Sequence, residues 1–132
     1  MKGIADTGFL VAAANHRDQY HTWAAELARE VHEPLLTCDA VLAEVAFHLH
    51  DVELALALVR EGLVSSDFLI TPHRQRLETL ARRYRDRKPD LADLCLICLS
   101  EDHPGLPVIT TDKADFRVYR RFRRETIPLI TP

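Results

Sequence analysis

Short apolar runs alternate with longer amphipathic segments along this chain of 132 residues. The short runs predict buried strands at residues 4–5, 34–37, 107–109 and 126–130, and a further strand within residues 63–70, for which 68–70 is the favoured position. Helices are predicted in residues 9–14, 17–31, 39–50, 51–60, 71–87 and 91–101, and a helix or a helical turn in residues 113–124. This alternation favours a single domain over residues 1–132 of the α/β class, with three layers around a mostly parallel sheet of four or five strands.

Polar residues at the ends of these segments indicate where helices begin. Asp39, Asp51 and Asp90 each precede an apolar helical segment, and each is expected to be an N-cap. The last strand contains Pro128, which removes a ladder hydrogen bond and is typical of an edge strand.

Four other acidic residues lie where a ligand could reach them. Asp6 and Asp112 follow the first and fourth apolar runs, and the carboxyl ends of parallel strands are where open α/β sheets bind ligands. Asp93 lies in the first turn of a helix with apolar residues in nearly every direction. Glu44 lies at the margin of the apolar stripe of its helix, as a residue on the lip of a cleft would.

If these four acids converge, their repulsion has to be relieved by protons or by divalent cations. A ligand set made only of oxygen atoms selects Mg²⁺ or Mn²⁺ and disfavours zinc. Carboxylate-bound metal ions of this kind serve phosphodiester hydrolysis. A simpler reading of Asp6 alone is that it caps the helix that follows it.

Composition and charge narrow the class of protein. With 47% hydrophobic and 28% charged residues, the chain is expected to be globular. Because it contains no long apolar run, neither membrane insertion nor secretion is expected. Three cysteines in apolar sequence fit a reducing cytoplasm. Residues 1–73 hold four Lys/Arg and eleven Asp/Glu, whereas residues 74–132 hold thirteen and nine. The basic residues form two clusters, 74–88 and 113–124, which suit either solvated helix faces or a bound polyanion.

Four segments, in order, resemble the PIN domain and look closest to the VapC toxins of bacterial toxin–antitoxin pairs. They are the opening Ala-Asp-Thr-Gly-Phe-Leu, the helix of Glu44, Asp90-Leu-Ala-Asp93, and Ile-Thr-Thr-Asp-Lys-Ala-Asp-Phe116. The resemblance implies a Mg²⁺-dependent endoribonuclease that cuts structured RNA such as tRNA or rRNA. It also implies a homodimer held inactive by a small antitoxin. The sequence departs from the family pattern at position 8, where it has glycine and many relatives have serine.

The resemblance also implies roles for individual residues. The acidic quartet would be Asp6, Glu44, Asp93 and Asp112, with Asp6, Asp93 and Asp112 as the metal ligands and Glu44 binding the metal or positioning the attacking water. Thr7 and Thr110 would support Asp6 and Asp112, and Asp90 and Asp115 are further candidates. Binding of RNA phosphates is assigned to Arg82, Arg83, Arg87, Lys113 and Arg117.

Other readings are a PIN-like RNA-processing nuclease without an antitoxin and a binding module that has lost catalysis. Haloacid-dehalogenase phosphatases have Asp-x-Asp after strand one, but Gly8 occupies the position of the second Asp in this sequence.

Cys95 and Cys98 have a redox or zinc spacing, yet they lie in a leucine-rich helix and are expected to be buried thiols. His48, one turn after Glu44, is expected to pack or to support the site.

Overall fold

A computed structural model describes all residues from Met1 to Pro132, and its elements alternate as the sequence predicts. The helices are α1 (Thr7–Ala14), α2 (His21–Arg29), α3 (Asp39–Leu49), α4 (Val52–Arg60), α5 (Ile70–Arg83), α6 (Leu91–Asp102) and α7 (Lys113–Val118). The strands are β1 (Ile4–Ala5), β2 (Leu35–Thr37), β3 (Val64–Ser66), β4 (Val108–Ile109), β5 (Arg120–Arg121), β6 (Glu125–Thr126) and β7 (Leu129–Ile130).

Five of these strands form one parallel sheet in the order β3-β2-β1-β4-β7, with helices on its faces. The predicted α/β fold with a central parallel sheet is therefore confirmed. β1 lies at the centre between β2 and β4, and β7 lies at an edge, as Pro128 indicates. Because all five strands run in the same direction, the residues that follow β1, β2 and β4 emerge at one edge of the sheet.

The strands and α6 form most of the hydrophobic core. Both residues of β1 are fully buried, and so are both residues of β4. In α6 every residue from Leu94 to Ser100 is buried, which confirms that this helix lies inside the fold. Asp93 is only half-buried, in the first turn of the same helix. None of the seven helices combines the length and the apolar character that a membrane-spanning segment requires.

The strand predicted within residues 63–70 is present, but its favoured position at residues 68–70 is wrong. β3 is Val64–Ser66, which pairs in parallel with all three residues of β2. Gly62 has a φ of +81° and allows the chain to turn from α4 into this strand. The apolar run that suggested a strand lies after it: Phe68 is buried and stacks on His73, whereas Ile70 already begins α5.

The predicted helix at residues 113–124 is wrong beyond Val118. α7 has six residues, and the chain then forms the antiparallel β5–β6 pair, with Arg120 opposite Thr126 and Arg121 opposite Glu125. The guanidinium of Arg121 is buried and donates to Ser100 and Glu125. Burying a charged side chain requires such partners, and these contacts hold the segment against α6.

One predicted cap is also wrong. Cys38 is the N-cap residue of α3, and Asp39 is the first residue of the helix, where it accepts a hydrogen bond from the Ser66 hydroxyl. Asp51 and Asp90 do cap α4 and α6, by accepting from the backbone N–H of Leu54 and of Asp93.

Candidate active site

The four acids of the predicted quartet line one open cleft at the carboxyl edge of the sheet, with a volume of about 480 Å³. Seven acidic side chains line this cleft, and no lysine or arginine does. The seven are Asp6, Asp18, Glu44, Asp90, Asp93, Asp112 and Asp115. The sequence predicts all of them except Asp18, which lies in the loop between α1 and α2. A cleft with this charge favours cations strongly.

Asp6 is held rigidly at the floor of the cleft. It is the N-cap of α1, where its Oδ1 accepts from the backbone N–H of Thr7 at 2.7 Å. Its Oδ2 accepts from the hydroxyl of Thr110 at 2.6 Å. The residue is 6% exposed, and burial raises its pKa to about 6 even though both hydrogen bonds favour the charged form. The position of Asp6 is therefore compatible both with a role as a helix cap and with a role in the site.

Glu44 reaches the cleft from α3, the helix that follows β2. It is half-buried and accepts from the hydroxyl of Thr7 at 3.1 Å. Burial raises the pKa of Glu44, and the nearby Asp90 raises it further. Thr7 therefore supports Asp6 through its backbone and Glu44 through its side chain, a division of roles that the sequence does not predict.

Asp93 is the most perturbed acid of the cleft. Its Oδ2 accepts from the hydroxyl of Tyr119 at 2.8 Å. Burial raises the pKa of Asp93 to about 8, and the negative charges of Asp90, Asp6 and Asp112 add to this effect. A carboxyl group with such a pKa is poised to exchange a proton for a cation near neutral pH.

Asp112 and Asp115 complete the cleft from the first turn of α7. Asp112 caps the helix, accepting from the backbone N–H of Asp115 at 3.1 Å. The backbone N–H of Asp112 donates to the hydroxyl oxygen of Thr110 at 2.9 Å. Thr110 thus joins Asp112 to Asp6. A side-chain nitrogen of Arg87 lies 2.7 Å from Asp115 Oδ1, so this ion pair closes one side of the cleft.

Three of these carboxylates lie close enough together to share one cation. Asp93, Asp112 and Asp115 each offer an oxygen, and these three atoms lie within 4.8 Å of one another. A donor set of carboxylate oxygens fits a hard divalent cation, as Mg²⁺ and Mn²⁺ are. Asp6 lies outside this trio, and Asp115, predicted only as a supporting residue, is part of it. The predicted ligand set of Asp6, Asp93 and Asp112 stays a prediction.

Gly8 lies in this cleft beside Thr111. A Cβ atom on residue 8 would lie 2.0 Å from Thr111 Oγ1 and 3.2 Å from Thr111 Cβ. The space that a serine at position 8 would need is therefore filled by the hydroxyl of Thr111. The absence of a side chain at position 8 is therefore compensated by Thr111, whose hydroxyl occupies the space.

This packing gives a prediction for Gly8→Ala. Helix propensity alone would stabilise the variant by about 1 kcal/mol, but the overlap with Thr111 should outweigh it and lower the free energy of unfolding by about 1–3 kcal/mol. Urea unfolding followed by circular dichroism measures the change. Adding Thr111→Ala should restore most of the loss, and a double variant as unstable as Gly8→Ala would contradict this explanation.

The predicted RNA-binding residues lie outside the cleft. Arg82, Arg83, Arg87 and Arg117 are exposed and Lys113 is half-exposed, and of the five only Arg87 forms an ion pair. Other members of the two basic clusters are used within the fold, since Arg76 binds Glu101 through two hydrogen bonds and Arg121 is buried. Only part of the basic half of the sequence is therefore free to meet a polyanion.

The cysteines are buried, whereas His48 lies at the rim of the cleft. Cys38, Cys95 and Cys98 are free, buried thiols, and burial raises the pKa of Cys98 to about 12. Cys95 contacts Cys38, the N-cap residue of α3. His48 is exposed at the rim of the cleft, whereas Trp23 packs edge to face against Phe9.

Comparison with known proteins identifies the class to which this fold and this cleft correspond. The sequence profile of the PIN domain matches residues 4–121. The chain belongs to the PIN domain family. Its fold is similar to that of the VapC20 toxin of Mycobacterium tuberculosis, a sarcin–ricin loop cleaving toxin. The TM-score is 0.66 over 82% of this chain and 87% of that chain, at 18% sequence identity. A comparison with curated proteins finds no significant match.

Proposed function

We propose that this protein is a Mg²⁺-dependent endoribonuclease and the toxin of a toxin–antitoxin pair. The observation that carries the proposal is the cleft with seven acids, in which three carboxylate oxygens lie within 4.8 Å of one another. Membership of the PIN domain family supports nuclease chemistry. The fold shared with VapC20, which cleaves the sarcin–ricin loop, supports a toxin that acts on structured RNA.

In this proposal Asp93, Asp112 and Asp115 hold the cation, and Asp6 adds a fixed negative charge at the floor of the cleft. A bound Mg²⁺ supplies Lewis acidity and lowers the pKa of a water molecule, and Mn²⁺ would substitute. Glu44, oriented by the Thr7 hydroxyl, positions the attacking water and accepts its proton. The raised pKa of Glu44, which is caused mainly by burial, makes its carboxylate a stronger base than an exposed glutamate.

RNA is held by basic side chains around the cleft. Arg87 is the best placed of them, since its guanidinium already lies 2.7 Å from a carboxylate of the trio. A phosphate entering the cleft would find this donor at the edge of the acidic site. Arg82, Arg83, Lys113 and Arg117 would contact flanking phosphates, which contributes affinity but little sequence choice. A homodimer, a cognate antitoxin and a cytoplasmic location belong to the same proposal.

The direct test is cleavage of RNA by the purified chain. Total tRNA and ribosomal RNA should be cut at discrete positions in the presence of Mg²⁺ or Mn²⁺, and EDTA should stop the reaction. Sequencing of the new RNA ends would give the target. Co-expression with the neighbouring open reading frame tests the toxin assignment, because an antitoxin should abolish both the cleavage and the growth arrest. Cleavage without growth arrest would favour an RNA-processing nuclease, and RNA binding without cleavage would favour a binding module.

A further inference from the structure

The hydroxyl of Tyr119 meets the candidate metal site from inside the protein. Tyr119 is 1% exposed and is the largest fully buried side chain of the chain. Its hydroxyl lies 2.8 Å from Asp93 Oδ2 and donates a hydrogen bond to it. Hydrogen bonds to a charged acceptor are shorter and stronger than those between neutral groups. This contact therefore fixes the orientation of the Asp93 carboxylate.

The ring of Tyr119 is itself held by its neighbours. It packs edge to face against Tyr84 at a centroid distance of 5.0 Å and against Phe116 at 5.4 Å. The hydroxyl of Tyr84 is engaged elsewhere, because it accepts from the backbone N–H of Arg120 at 2.8 Å. Two tyrosines thus lie in contact, and only one of them reaches the acidic cleft.

The position of Tyr119 in the chain adds a geometric reason for its role. α7 begins with Asp112 and Asp115 in the cleft and ends immediately before Tyr119. The hydroxyl therefore joins Asp93 of α6 to the same segment that carries the other two carboxylates of the trio. α7 is short and has polar contacts at both ends. It therefore sets the distance between Asp93 of α6 and the two acids at its own N-terminus.

We propose that Tyr119 is a positioning residue, which orients Asp93 so that the carboxylates of Asp93, Asp112 and Asp115 can bind one divalent cation together. The Tyr119 hydroxyl donates to one carboxylate oxygen of Asp93, Oδ2, and so limits rotation of the group that belongs to the trio. Groups that orient a metal ligand through a hydrogen bond commonly change metal affinity by about 10–100-fold when removed. The proposal rests on the proposed metal-dependent function.

Tyr119→Phe tests this role, with Tyr84→Phe as the matched control. Both changes remove one hydroxyl from the same aromatic cluster, but only the first touches Asp93. Mn²⁺ affinity, measured by electron paramagnetic resonance of the free ion, should fall about 10-fold or more in Tyr119→Phe and stay within twofold of the unchanged protein in Tyr84→Phe. In RNA cleavage at fixed Mn²⁺ below saturation, kcat should fall and the KM for RNA should stay the same.

A double-variant cycle separates positioning from general stability. In an Asp93→Asn background, Tyr119→Phe should cause no further loss of Mn²⁺ affinity, since the group through which it acts is gone. An equal loss in both backgrounds, or unchanged Mn²⁺ affinity in Tyr119→Phe, would overturn the proposal. Absence of Mn²⁺ binding by the unchanged chain would also overturn it. Mn²⁺ binding without RNA cleavage would reject the nuclease function alone, because the affinity comparison still decides the role of Tyr119.

Discussion

Asp93→Asn and Asp6→Asn are each expected to lower Mg²⁺-dependent RNA cleavage by about a thousandfold or more, which corresponds to roughly 4 kcal/mol of transition-state stabilisation. Asp93 offers one of the three oxygens that lie within 4.8 Å of one another. Asp6 brings a second charge to the same cleft, and its carboxylate is held by the Thr7 N–H and the Thr110 hydroxyl. An amide keeps the shape of each side chain but removes the charge that a cation requires.

The measurement is the initial rate of cleavage of one RNA substrate at saturating Mg²⁺, with circular dichroism to establish that each variant is folded. Asp86→Asn is the control, since Asp86 is an exposed acid in the turn before α6 and does not line the cleft. It should cleave at nearly the rate of the unchanged protein. Asp93→Asn or Asp6→Asn with normal activity would show that the cleft is not the site of cleavage.

The sequence predicts which acids meet in the cleft better than it predicts the elements around them. Asp6 and Asp112 each follow a short apolar run, and the parallel pairing of β1 with β4 places them at one edge of the sheet. Asp93 is indicated by the rarity of an acid in a helix that is apolar on most sides. These signals are local along the chain, and the rule that parallel strands share a carboxyl edge converts them into a three-dimensional prediction.

The errors have a common physical origin in long-range contacts. The apolar residues Phe68 to Ile70 suggested a strand, but the pairing with β2 selects the more polar β3. The segment after Val118 has helical spacing, yet the burial of Arg121 against Ser100 and the β5–β6 pair decide its structure. Tertiary context commonly overrides local propensity in this way.

The sequence does not indicate Asp18, which lines the cleft, or Tyr119, which lies buried behind it. Tyr119 falls in the segment for which the sequence predicts a helix, and that prediction gives no reason to place its hydroxyl near Asp93. Asp18 lies in a loop between two helices and accepts from the backbone N–H of Tyr20, a local turn that carries no sign of a site. Their roles depend on how α7 and the α1–α2 loop fold back over the sheet edge.

The stability of the metal-free protein is expected to decrease as the pH rises from about 4 to about 8. The pKa of Asp6 is raised from 3.8 to about 6 and that of Asp93 from 3.8 to about 8, mainly by burial. Between the unfolded and folded pKa values the folded state binds more protons than the unfolded state. The free energy of unfolding therefore falls with increasing pH. Asp6 alone accounts for about 3 kcal/mol of this loss, at 1.36 kcal/mol per pKa unit.

A divalent cation should remove most of this pH dependence, because it replaces the protons as the partner of the carboxylates. Thermal unfolding followed by circular dichroism, at about pH 5 and about pH 8, with EDTA or with excess Mn²⁺, measures both effects. With EDTA the melting temperature should be lower at the higher pH by roughly 10 °C, and Mn²⁺ should remove most of the difference.

The variant Asp6→Asn/Asp93→Asn separates the cleft from other titrating groups. His73, which bonds to Leu69 and Asp102 and has a raised pKa, also loses stabilising charge as the pH rises. If the cleft dominates, the double variant should be more stable than the unchanged protein at about pH 8 in EDTA, should lose most of its pH dependence and should not respond to Mn²⁺. A double variant with the same pH dependence as the unchanged protein would assign the effect to groups outside the cleft. The carboxylates would then not be destabilising one another, and the physical reason for a metal site here would be lost.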